Sequence, residues 1–274
     1  VVGRADSGRK GVFRDSVVYV NGWFVGRHES GYDSFRYDIT DVVNPGGRNV
    51  IAVRVDASHF EGWFYEGAGI YRHVWLVKTS PLAIAPDGVF VHSRFPRNLP
   101  GGAAQVHMQT RLHNAGQTAA DASVTWEILA PDGKSVAKAR RSLRLNPGAA
   151  AEVVQTASVP APVLCSPETP RLYRLRTQVS SQGKLVDRVE TAFGIRTVAF
   201  DADKGFLLNG KPYVIKGTCN HQDHAGVGVA LPDALQEFRI RRLQGMGSNA
   251  YSTAHNPPTP ELLDVCDRLG MRVM

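Results

Sequence analysis

Apolar positions along the chain follow three successive regimes. From Ser16 to Lys78 short apolar runs are broken by tight turns: Val17-Val18-Tyr19-Val20 leads through Asn21-Gly22 into Trp23-Phe24-Val25. Asn-Gly between apolar runs predicts a hairpin closed by a type I′ turn, because both central positions of that turn require positive φ. Asn44-Pro45-Gly46-Gly47 predicts a second turn, followed by a strand over residues 49–55, and residues 70–77 read as one further strand. This is the pattern of a β-sandwich. Its apolar pattern begins almost at the first residue with nothing to pair against, so the opening strands of the sandwich are expected to be missing.

Residues 82–195 continue as a second all-β stretch, with strands predicted over 105–112, 123–130, 151–159 and 172–180. Pro131-Asp132-Gly133-Lys134, Asn146-Pro147-Gly148 and Ser181-Gln182-Gly183 separate them. Short strands at this spacing predict an immunoglobulin-like sandwich. After Phe200 the period changes. Tyr213-Val214-Ile215 predicts a short strand, and residues 232–246 a helix with Leu235, Phe238, Leu243 and Met246 near one stripe. A strand over 249–253 follows. Thr259-Pro260-Glu261 then opens a helix with an N-cap, a proline at the first helical position and an acid at the positive dipole end; Gly270 closes it. Met271 to Met274 starts a third strand. Strand-helix repeats of this kind imply a parallel sheet, the opening of either a doubly wound fold or a (β/α)8 barrel.

At 274 residues the chain exceeds one typical domain. The pattern divides it at residues 1–80, 81–196 and 197–274. A hydrophobic content of 43% with 21% charged residues excludes wholesale disorder. The net charge of +7 is scattered, and its densest group, Arg239, Arg241 and Arg242, falls on the predicted helix, where a solvated face accounts for it. No nucleic-acid partner is implied. Cys165, Cys219 and Cys266 are odd in number and far apart, giving neither a disulfide framework nor a zinc knuckle. No apolar run approaches the roughly 20 residues of a membrane span. The first ten residues lack signal-peptide character, so a soluble chain is expected, periplasmic or secreted if a targeting segment precedes residue 1, and its compartment stays open.

Four patches carry candidate chemistry. In Lys216 to His224 polar groups crowd what reads as the loop after the first parallel strand, the side on which such folds build sites. His221, Asp223 and His224 could be metal ligands, but no fourth group accompanies them; binding substrate and bonding backbone are the other readings. His255, in Asn249 to Pro258, follows the next strand, so His221 and His255 are expected on one face, with capping of the following helix as the structural alternative. Trp63 to Arg72 sets aromatics beside small residues, suiting a plug between domains better than a sugar platform. Ser80, Ser166, Ser248 and Ser252 lie in no nucleophile elbow.

These residues resemble glycoside hydrolase family 2. Gly69-Ile70-Tyr71-Arg72-His73-Val74-Trp75-Leu76 is similar to the end of that family's sugar-binding domain, and Phe206 to Pro212 with Lys216-Gly217 to its entry into the barrel. Met246 to Ala250, His255-Asn256-Pro257-Pro258 and Leu262 to Asp267 resemble its second barrel unit. The resemblance implies a multidomain, mainly β protein: a partial jelly roll, an immunoglobulin-like sandwich and the first units of a TIM barrel. It implies a retaining exo-glycosidase acting on a β-linked carbohydrate. The His-Gln-Asp-His-Ala-Gly-Val-Gly loop looks most like the β-galactosidase branch, with β-glucuronidase, β-mannosidase or a non-catalytic carbohydrate-binding remnant as alternatives. His221, Asp223 and His255 would line the sugar subsite. Ser252 stands where the family usually has an arginine. Both catalytic glutamates would lie beyond Met274, leaving no catalytic residue in this chain and an inactive fragment. No cofactor is evident, and a divalent cation in the full-length enzyme and a homo-oligomer are left open.

Overall fold

A computed structural model describes residues 4–8, 11–58 and 67–274 of the protein. The first region contains β1 (Arg4–Gly8), β2 (Val12–Phe13), β3 (Ser16–Val20), β4 (Trp23–His28), β5 (Ile51–Val55), β6 (Gly69–Ile70) and β7 (Trp75–Thr79). β3 is the centre of a β4-β3-β5 sheet, while β1 pairs with β7 and β2 with β6. The expected hairpin is present: Asn21 and Gly22 have φ of 51° and 87°, and the Asn21 Oδ1 accepts the Val50 amide at 2.9 Å. Asn49 belongs to the 44–49 turn rather than to β5, because its Oδ1 accepts the Asn44 amide at 2.7 Å.

One expectation is corrected in this region. Residues 70–77 form two strands with different partners, for the intervening side chains are drawn aside: the Tyr71 hydroxyl donates to Gly31 O at 2.8 Å and Arg72 Nη1 to Tyr32 O at 2.6 Å. The opening segment also has a partner, since β1 runs antiparallel to β7 from Arg4 opposite Thr79 to Gly8 opposite Trp75.

The central region has seven strands, three more than the turn pattern delimits: β8 (Leu82–Arg94), β9 (Ala104–Asn114), β10 (Ala120–Leu129), β11 (Ser135–Leu145), β12 (Ala150–Val159), β13 (Leu172–Ser181) and β14 (Lys184–Gly194). They form a β11-β10-β13-β14 sheet facing a β12-β9-β8 sheet. The core between them surrounds fully buried Trp126. Its indole N–H donates to the buried Thr110 hydroxyl at 2.9 Å, so the ring enters the core without an orphaned donor. β11 and β14 escape the pattern because their inward residues, among them Ala137, Ala139 and Val186, are small or only half-buried between lysines and arginines.

A β15 (Val198–Asp201), β16 (Gly205–Leu208), β17 (Lys211–Pro212) meander leads into the third region, which alternates β18 (Gly217–His221), α1 (Asp233–Gly245), β19 (Ala250–Ala254), α2 (Pro260–Leu269) and β20 (Arg272–Val273). β18, β19 and β20 are parallel and adjacent in that order. The first parallel strand is therefore residues 217–221, not Tyr213 to Ile215. The Asn249 side chain holds that earlier segment, donating to Val214 O at 2.9 Å and accepting the Lys216 amide at 2.8 Å. Val214 is 70% exposed.

One side of the parallel sheet is covered by α1 and α2 through Tyr251, Ile240, Leu262, Val265, Cys266 and Met271. The α1 stripe differs from expectation: Gln236 and Ile240 are buried, whereas Phe238 and Met246 are exposed. α2 follows its sequence signals, Thr259 Oγ1 accepting the Leu262 amide at 3.2 Å and Gly270 closing the helix at φ 77°. Strand alternation puts Gly217, Ala250 and Arg272 in one row on the side away from the helices, and Cys219 with Ser252 in the next. The Arg272 guanidinium lies 4.0 Å from the Tyr213 ring centroid and 4.6 Å from that of Phe206. The Tyr213 hydroxyl donates to Glu168 at 2.6 Å, and burial with that carboxylate pushes its pKa up to about 12. No helix among the described residues is long and apolar enough to cross a membrane.

Candidate active site

His221 is the last residue of β18, and His255 follows the last residue of β19. In a parallel register that sets His221 opposite Ala254, the two side chains leave adjacent strand ends together. Their rings meet edge to face, with centroids 5.2 Å apart and planes at 88°. His221 is half-buried and His255 exposed. Asp223 is half-buried two residues beyond β18, close enough to Tyr251 for its charge to act on that phenol. Burial is the largest influence raising the Tyr251 pKa, with Arg239 opposing it.

His224 belongs to a small loop of its own, where its amide donates to Gly228 O and its carbonyl accepts the Gly228 amide, both at 2.9 Å. Among the described residues no three His, Cys, Asp or Glu side chains converge as a metal site. Ser252 sits half-buried opposite Cys219 on the side away from the helices. Ser80 and Ser166 are engaged structurally, Ser80 donating to Val186 O at 3.0 Å and Ser166 lying 3.0 Å from the Thr169 hydroxyl.

Behind the strand ends, on the helix side, lies a cavity of about 430 Å³ between Ile70 to His73 of the first region and the starts of α1 and α2. His73 Nε2 is 3.2 Å from the Asp233 carboxylate across it. That location fits a plug between domains for the described part of the aromatic patch; Trp63 to Glu66 lie outside the described residues.

Two contacts beside the strand ends are not visible in the sequence pattern. Arg239, read there as part of a solvated face, reaches over the sheet and donates from Nη2 to His221 O at 2.6 Å. Its neighbours on α1 do face outward: Arg241 pairs with Glu237 at 2.6 Å, and Arg242 lies 5.0 Å from the Phe238 ring centroid. Gln236 Nε2 donates to Thr259 Oγ1 at 2.9 Å. The available signal was a glutamine four residues before an isoleucine on the buried helix stripe.

Sandwich modules lead here into parallel strand-helix units of the kind that open a (β/α)8 barrel, with ionisable groups gathered at the strand ends. The glycosyl hydrolases family 2 profile matches residues 86–196, and the profile of that family's TIM barrel domain matches residues 200–274. A β-galactosidase of Bacteroides ovatus is 38% identical over 280 residues, covering 100% of this chain and 32% of its own length. A β-glucuronidase of Bacteroides fragilis is 33% identical over 267 residues, covering 93% of this chain and 38% of its own. The crystal structure of a family 2 member from Bacteroides cellulosilyticus superposes with a TM-score of 0.94 at 34% identity, covering 100% of this chain and 37% of that one. The chain belongs to glycosyl hydrolases family 2. It spans about a third of the length of these relatives.

Proposed function

We propose that this family 2 member acts on terminal β-galactosides by the retaining, double-displacement route, and that His221, Asp223 and His255 line the galactosyl subsite. The carrying observation is the edge-to-face pair of His221 and His255, delivered from two adjacent parallel strand ends. Imidazoles so placed offer donors and acceptors to vicinal hydroxyl groups, and Asp223 adds an acceptor from the same loop. The galactoside reading is supported by the Bacteroides ovatus relative. The Bacteroides fragilis relative supports a β-glucuronide instead, which would require a cation to meet the uronate carboxylate.

Retaining hydrolysis needs two carboxyl groups about 5–5.5 Å apart. Asp223 supplies one carboxylate at the strand ends, while Asp233, Glu237, Glu261, Asp264 and Asp267 belong to α1 and α2. We therefore read these 274 residues as a binding half-site without turnover of its own. Calorimetric titration of galactose into the chain and into His255→Ala tests the subsite: heat that disappears in the variant is expected, and equal heat in both, or none in either, overturns it. Sustained release from a chromogenic β-galactoside by this chain would overturn the reading that it lacks turnover.

A further inference from the structure

α1 presents two polar side chains where a barrel helix would ordinarily bury aliphatic ones. Gln236 is only 6% exposed and Arg239 half-buried. Burying an amide is costly unless its groups are bonded. Gln236 meets that cost at one residue, with Nε2 donating to Thr259 Oγ1 at 2.9 Å and Oε1 lying 3.2 Å from the same hydroxyl. Thr259 ends the short loop that begins with His255 and caps α2 through the Leu262 amide. Three residues along α1, hence on a neighbouring part of the same helix face, Arg239 donates to the His221 carbonyl at 2.6 Å. One helix thus grips both histidine-bearing segments, β18 at its last carbonyl and the loop after β19 at its last side chain.

We propose that Gln236 and Arg239 are positioning residues that together fix His221 against His255. Neither reaches the strand-end face itself; each acts through backbone or a cap. A leucine at 236 would fill the same volume against α2, so packing alone does not call for the amide. The guanidinium makes a charge-assisted bond to a carbonyl, among the stronger hydrogen bonds a side chain forms. Both residues also line the 430 Å³ cavity, so removing either bond leaves space for water to solvate the freed groups while the fold persists.

The proposal rests on the sugar-subsite reading in one arm of its test and is independent of it in the other. In the full chain, the nuclear Overhauser contact between the His221 and His255 ring protons is expected in the wild type, lost in Arg239→Met and in Gln236→Leu, and retained in Arg239→Lys. Galactose affinity is expected to fall about tenfold in the first two variants, at an unchanged thermal midpoint, and to recover in Arg239→Lys. An intact ring contact in both folded variants, or its absence in the wild type, overturns the brace. A chain that shows the ring contact but takes up no galactose removes the subsite reading and leaves the brace standing. Should Arg239→Met fail to fold, Gln236→Leu, which preserves buried volume, carries the decision.

Discussion

The immunoglobulin-like sandwich and the opening of the barrel both bury polar side chains, but to opposite ends. In the sandwich the Thr110 hydroxyl stays inside the core and completes Trp126, the largest side chain there. In the barrel opening Gln236 and Arg239 bond to the Thr259 cap and to the His221 carbonyl, behind the strand-end face. One arrangement closes a core and the other ties two histidine-bearing segments to a single helix. A buried polar group bonded to a core residue therefore reports on stability, whereas one bonded to a strand end reports on geometry.

Substitutions can break this contrast, and the largest effect should come from the sandwich. Trp126→Ala is expected to cost about 3–5 kcal/mol, the usual penalty for emptying a large aromatic site, read as a lower denaturant midpoint. Gly270→Ala comes next. The glycine has φ 77°, and an added Cβ would overlap the Pro167 carbonyl oxygen, so a loss of about 1–3 kcal/mol is expected by the same measurement. Thr110→Val keeps the shape of its side chain but strips the acceptor from the indole N–H, and about 1 kcal/mol should follow. A Thr110→Val protein as stable as the wild type would remove that bond from the sandwich's side of the comparison.

The smallest effect is electrostatic. Glu237 bridges Arg268 and Arg241, both at 2.6 Å, and those contacts hold its pKa down to about 2, Arg268 foremost. A carboxylate depressed in the folded state stabilises above its unfolded pKa, and that contribution is withdrawn as the pH falls through about 2. The pair is exposed, so the effect should be slight and should shrink further in high salt. Thermal midpoints followed across that acid range for the wild type and Glu237→Gln check it; identical profiles would assign no role to the bridge between α1 and α2.

Local chemistry made parts of this structure legible in advance. The Asn21-Gly22 turn, the Thr259 cap and the Gly270 stop depend on neighbours a few residues away, and each sits where its residue types demand. Elements that answer to distant partners were harder to read. β18 forms at residues 217–221 because Ala250 to Ala254 lie beside it, while the more apolar Tyr213 to Ile215 are captured by Asn249 and Glu168. At the site, the two histidines were legible because strand ends in a parallel sheet share a face. Arg239 was not, since nothing local distinguishes an arginine that crosses to a carbonyl 18 residues away from its solvated neighbours Arg241 and Arg242.

Gly217, Ala250 and Arg272 occupy one row of the parallel sheet, and any Cβ on Gly217 would come within 2.9 Å of that of Ala250. Two nearly absent side chains thus lie beside one long cation whose Nη1 and Nη2 are buried and meet no acceptor among the described residues. An aliphatic plug would accept any greasy neighbour. A guanidinium clasped by the faces of Phe206 and Tyr213 is selective, because it rewards only an electron-rich surface or an acceptor. The first row of this three-stranded sheet is therefore charged at its β20 end, where the cation sits against two aromatic faces, whereas the next row, Cys219 with Ser252, is neutral.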